Sequence, residues 1–143
     1  MSTSLTMTLA RDIEAIEVDD LKIALMINLF IEALSEQKVL PMALVILRLI
    51  ICMTDRNFAM EKRVMARYQY IGREEHIKAH ETLTSYISGL ETMLNLANDF
   101  DDIDAPSVIQ FLTRWHAEHA VYSDGHLIDF LNAIAPDNDM VVI

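Results

Sequence analysis

The chain has 143 residues, 52% of them hydrophobic, which is enough to bury the core of one domain without staples. Three glycines and three prolines set against nine methionines leave too few turn formers for a β protein, so the expected class is all-α. A formal charge of -11 repels phosphate backbones and anionic membrane faces, which excludes nucleic acid and a membrane as expected partners.

Residues 1–10 lack the basic start and sustained apolar run of a secretion signal. The longest apolar run, 39–53, contains Pro41 and Arg48 and falls short of the roughly 20 residues that a bilayer requires. The single Cys52 excludes an internal disulfide and is expected to be a small buried hydrophobe, so a soluble protein of the reducing cytoplasm is expected.

In chain order, an N-terminal arm (1–17) precedes a bundle (about 18–134) and a tail (135–143). Helix one is predicted over 18–36, with Ile23, Ala24, Ile27, Ile31 and Leu34 at helical spacing, and its stripe extended backwards reaches Asp20. Helix two opens at Pro41, a favoured first-turn residue, and turns Ile46, Ile50, Met53, Val64 and Tyr68 inward with Asn57 and Glu61 on the same stripe. Helix three runs from about 72 to 95 and buries Leu83, Ile87, Leu90 and Leu94. An acidic connector follows, with Asp99, Asp101, Asp102 and Asp104. It lacks the glycine and terminal glutamate of an EF-hand loop and reads as a solvated link. Helix four begins near Pro106 and buries Leu112, Trp115, His119, Leu127 and Phe130.

His76 and His80 stand one turn apart on the inward face of helix three. An i, i+4 pair lies about 40° apart around a helix, so both imidazoles reach one cation from a single element. A lone histidine on an apolar face is more often a satisfied core residue, but the pair favours metal ligation. Each helix carries such groups inward: Asp20, then Asn57 and Glu61, then His76 and His80, then His119. Burying unpaired polar groups costs several kcal/mol each, so four facing stripes that all carry them are expected to meet. A bundle that projects carboxylates and imidazoles to its centre is one way to hold metal. The competing reading is a hydrogen-bonded polar layer in which Glu61 and a second acid orient the histidines.

Five segments resemble the hemerythrins, and among them the single-domain bacterial forms. They are residues 13–17, Ile27-Asn28-Leu29, Asn57-Phe58-Ala59-Met60-Glu61 with Met65 and Tyr70, the His76/His80 pair, and Trp115 with His119 and Asp124. The resemblance spans about residues 13–131 and implies an antiparallel up-down four-helix bundle. It further implies that His76, His80 and His119 hold one non-haem iron, with Glu61 and Asp124 as bridging carboxylates to a second. Regular helical geometry would not select Asp124, because i+5 from His119 rotates about 140°; a π-bulge or a long reach is needed, and Gly125 is compatible with an irregularity there.

The chain departs from that pattern at the second iron, where the family's two histidines fall on Asp20 and Asn57. Dioxygen binds that iron in the family, so the departure argues against ordinary reversible oxygen carriage. Asp20 and Asn57 would either form a carboxylate-rich second site or stand behind a mononuclear centre, which leaves one or two metals per chain open, with iron, zinc or manganese suitable. His116 and His126 are left out of the ligand set.

The function expected is that of a binding protein more than an enzyme: a metal centre that binds or senses dioxygen, nitric oxide or metal. The alternatives are an enzyme that reduces peroxide or oxidises ferrous iron, and a metal-free bundle kept for protein contacts. Independently, residues 44–53 are apolar nearly all round the helix. The surplus face of Leu44, Val45, Leu49, Ile51 and Cys52 is expected to form a homo-oligomer interface unless the N-terminal arm or residues 140–143 cover it.

Overall fold

A computed structural model describes residues 3–37 and 39–134, with side chains from Thr6 onward in the first helix. The described residues are helical: α1 (Thr3–Ser35), α2 (Leu40–Arg67), α3 (Arg73–Leu96), a short 3-10 turn (Phe100–Asp102), α4 (Ala105–Glu118), a π-helical segment (His119–Asp124) and α5 (Gly125–Ile134). The last three elements follow without interruption, so the chain packs as four helical rods. No helix among the described residues is long and apolar enough to cross a membrane.

Residues 3–17 of the expected arm are instead part of α1. No glycine or proline interrupts residues 3–35, and Leu9, Ile16, Ile23, Ile27 and Phe30 keep one buried stripe in register, so nothing stops the helix from starting at Thr3. Gln37 and Gln69 then adopt left-handed φ values of 49° and 54° just past α1 and α2, taking the place that glycine often fills at a helix C-terminus. Pro41 sits in the first turn of α2, where its missing N–H is not needed. In the connector, the Asp99 carboxylate accepts from Asp101 N and Asp104 accepts from Ser107 N, so these acids cap turns and stay in solvent.

Two apolar clusters fill the interior. The larger joins Ile23, Ile27, Phe30, Leu47, Ile50, Leu83, Ile87 and Leu112, and the smaller joins Leu9, Ile16, Val64, Met65, Leu127 and Leu131. Side chains this deeply buried contribute roughly 1.5–3 kcal/mol each through removal from water. On α1 the smaller cluster comes first and Asp20 separates it from the larger; on α2 the order reverses, with Glu61 between Phe58 and Val64. It reverses again on α3 and once more across α4 and α5, where His119 and Asp124 lie between Trp115 and Leu127. One polar layer therefore crosses all four rods between two dry blocks.

The apolar stretch of α2 phases differently from the expectation. Leu47, not Ile46, is fully buried, and Leu44 and Ile51 are half-buried against the larger cluster rather than left to water. Val45 and Leu49 remain about half exposed, and Cys52 is exposed rather than a buried hydrophobe. A sequence that is apolar all round carries no phase, so only the packing partners settle which face turns in. Residues 135–143, including the tail weighed as a cover for this face, lie outside the described residues.

Candidate metal centre

Each rod delivers its polar side chain by a local device. On α2, Glu61 is fully buried one turn after Asn57. Gly72 precedes α3 where a Cβ would stand 2.8 Å from the outer end of the Tyr70 ring, and its carbonyl accepts from His76 N at 3.0 Å, which fixes His76 in the first turn. Glu74 and Glu75 in that turn complement the helix dipole. On the fourth rod, π-helical winding from His119 to Asp124 places i+5 nearly above i, so both side chains face inward. Gly125 is not what permits this: a Cβ on it would meet only the Ala120 carbonyl at 3.7 Å, an ordinary contact.

Glu61, His76, His80, His119 and Asp124 are all buried, and one ligand atom from each lies within 4.8 Å of every other. Oε1 of Glu61 is 2.7 Å from Nε2 of His76 and 3.1 Å from Nε2 of His80. Oδ1 of Asp124 is 3.0 Å from Nε2 of His76 and 3.1 Å from Nε2 of His119. Yet Nε2 of His119 and both oxygens of Asp124 make no aligned hydrogen bond, and Oε2 of Glu61 has no partner either among the described residues. The two contacts at Glu61 Oε1 are hydrogen bonds, whereas the short, unaligned separation of His119 Nε2 and Asp124 Oδ1 is what lone pairs aimed at a common point produce. Leaving such buried atoms unsatisfied costs about 1–3 kcal/mol each, and a cation at that point would satisfy them together.

Stacked aromatic rings hold two of the imidazoles. Phe58 lies flat on His80 with centroids 3.7 Å apart and planes at 8°, and Trp115 lies on His119 at 4.6 Å and 13°. Trp115 Nε1 also donates to the Ala79 carbonyl at 3.4 Å, tying α4 to α3 beside His80. The sequence marked Phe58 only as a position in a motif and Trp115 also as a buried position of helix four, with no ring contact for either. The i, i+4 spacing of Trp115 and His119 was the available signal for one stack, while the other joins two helices and left none.

The charges around the cluster are strongly coupled. Burial alone would lower His76, but its contacts with Asp124 and Glu61 outweigh that and push it up to about 9. Burial holds His80 below the usual imidazole value despite Glu61. Burial would raise Asp124, but the nearby His119, His76 and Asp20 side chains hold it well below the carboxylate range. Asp20 is pushed up to about 10, first by burial and then by Asp124, Glu61 and Asp19.

Asp20 and Asn57 thus border the five-residue cluster without joining it. Asn57 is buried and donates from Nδ2 to Oδ2 of Asp19 at 3.3 Å, a partner that the sequence did not indicate. His116 is half-buried and His126 exposed, both outside the cluster. A cavity of about 290 Å³, lined by Tyr70, Glu75, Ser123 and His126, reaches His76 from the surface. No family model, curated protein or solved structure matches this chain.

Proposed function

We propose that the protein is a hemerythrin-like non-haem metal protein, an up-down bundle with one iron per chain that binds or senses a small ligand. The observation that carries this reading is the convergence of three imidazoles and two carboxylates on one point in the layer between two dry clusters. Two donors at right angles on a metal at about 2.1 Å stand about 3.0 Å apart, and two opposite donors about 4.2 Å apart. The separations of 2.7 to 3.1 Å suit a five- or six-coordinate ion better than a tetrahedral one, whose donors stand about 3.4 Å apart, and the 4.8 Å span exceeds about 4.2 Å, so the ligands would draw in on binding.

In this reading His76, His80 and His119 each supply Nε2, and Glu61 and Asp124 each supply an oxygen. A bound iron would provide an open coordination position for dioxygen, nitric oxide or peroxide. The chain's own contribution is to exclude water, to hold the His80 and His119 rings each against an aromatic plane, and to leave the cavity beside His76 as a path inward. One metal is favoured over two because Asn57 is committed to Asp19 and Asp20 lies outside the five-residue cluster.

Metal content per chain, measured by mass spectrometry on protein purified without chelator or a nickel tag, tests the reading. One iron per chain is expected. Two would return Asp20 to the ligand set, and none after anaerobic reconstitution with ferrous iron would leave a polar layer that serves only the fold. Peroxide consumption by the loaded protein separates a catalyst from a passive binder.

A further inference from the structure

The chain is acidic overall, yet the groove between α1 and α2 is lined by three cations: Lys22, Arg56 and Arg63. The groove encloses about 550 Å³, which lies within the roughly 300–1,000 Å³ of small-molecule sites. Ile23, Met53 and Met60 supply apolar lining, and methionine adapts readily to an irregular ligand. The one acid in the lining, Asp19, already accepts from Asn57. Among the described residues Arg48 pairs with Glu91 and Arg67 with Asp12, whereas Lys22, Arg56 and Arg63 form no ion pair. Unpaired cations collected around an apolar groove, in a protein whose net charge is -11, form a local positive field suited to an anion.

We propose that this groove binds a small amphiphilic anion: a carboxylate or phosphate head between Lys22, Arg56 and Arg63, with an apolar chain against Ile23, Met53 and Met60. The two arginines present planar forks that suit either head group. The chain has a path along α2, because Val45, Leu49, Cys52, Arg56 and Arg63 follow one face at helical spacing and the first three are exposed and apolar. The metal centre takes no part in this site.

Titration calorimetry on the purified full chain, with decanoate, decyl phosphate, inorganic phosphate and the uncharged decyl glucoside as probes, tests the proposal. Decanoate or decyl phosphate is expected to bind saturably at one per chain, at least roughly tenfold more tightly than inorganic phosphate or decyl glucoside. Replacement of two charge-assisted contacts in Arg56→Glu/Arg63→Glu should weaken that binding by roughly tenfold or more, with metal content unchanged. Equal binding of decyl glucoside would reduce the groove to an apolar surface and overturn the proposal. So would equal binding of inorganic phosphate, no saturable binding of either amphiphile, or indifference to the charge reversal in a folded variant.

Discussion

Nε2 of His119 and Oδ1 of Asp124 stand 3.1 Å apart although five residues separate them, because the chain winds as a π-helix between them. On a regular helix the two would diverge by about 140°, and the cluster would lose its second carboxylate. A π segment sacrifices regular i→i+4 bonding, and here its return is one more oxygen in the buried layer. Asp124→Asn keeps the shape and removes the charge. It is expected to lower metal affinity by more than roughly tenfold, since changes in partners merely adjacent to ligands already cost about 10–100-fold. Competition with a chelator of known affinity measures this, and an unchanged affinity would remove Asp124 from the centre.

Metal should stabilise the fold by mass action, because the unfolded chain offers no assembled site. At a free metal concentration about 100 times Kd the gain is about 2.7 kcal/mol, or several degrees in Tm for a chain of this size. Chelation should reverse that shift, and His119→Ala should show neither the shift nor the metal. A melting curve insensitive to both iron and chelator would argue for a bundle that never holds a cation.

The aromatic stacks separate holding the metal from holding the fold. Phe58→Leu roughly conserves apolar volume, so its stability cost should stay below about 1.5 kcal/mol, but it frees the His80 ring and should speed metal release. Leu112→Ala, in the larger cluster, should do the reverse: a loss of about 2–5 kcal/mol with metal content intact. Equal effects of the two changes on release rate would deny Phe58 a positioning role.

What the sequence revealed of this arrangement depended on periodicity. The stripe from His76 to Leu94 was legible because helix three is polar on its other faces, and Pro41 marked the start of α2. The start of α1 was not, although Leu9, Ile13 and Ile16 keep helical spacing, because threonines and charged residues crowd between them; Leu9 and Ile16 are enough to dock the segment. The phase of α2 was hidden by apolar residues on every side, which is why Leu47 was missed as a core residue while Leu44 and Ile51 were placed on the surface. Asp124 came only through the family resemblance, since no regular period selects it. Partners across helices, such as Asp19 for Asn57, leave no trace in a single sequence.

Protons and metal compete for the same atoms, which gives the centre a pH dependence. In the metal-free fold His76 is raised from 6.5 to about 9, so near pH 7 it carries a proton that metal must displace. Metal affinity should therefore rise with pH up to about 9, approaching one decade per pH unit for that one proton. Calorimetry in two buffers of different ionisation enthalpy counts the released proton directly. A flat affinity between about pH 6.5 and 8.5 would contradict the protonated state of His76.

Asp20 gives the metal-free fold a second dependence of the same sign. Its carboxyl is raised from 3.8 to about 10 by burial and then by Asp124, so across that window the native state binds a proton that the unfolded chain has released, and stability declines as pH rises. His76 adds to the decline between 6.5 and about 9, where the contribution of its raised value is lost. Asp20→Asn keeps the shape of the side chain and has no proton to lose. Metal-free Asp20→Asn should therefore melt above the parent protein at about pH 8 to 9, by a margin that shrinks toward pH 6, while metal content stays at one per chain. Loss of the metal in that variant would make Asp20 a ligand, and a margin independent of pH would show that its carboxyl is already ionised beside Asp124.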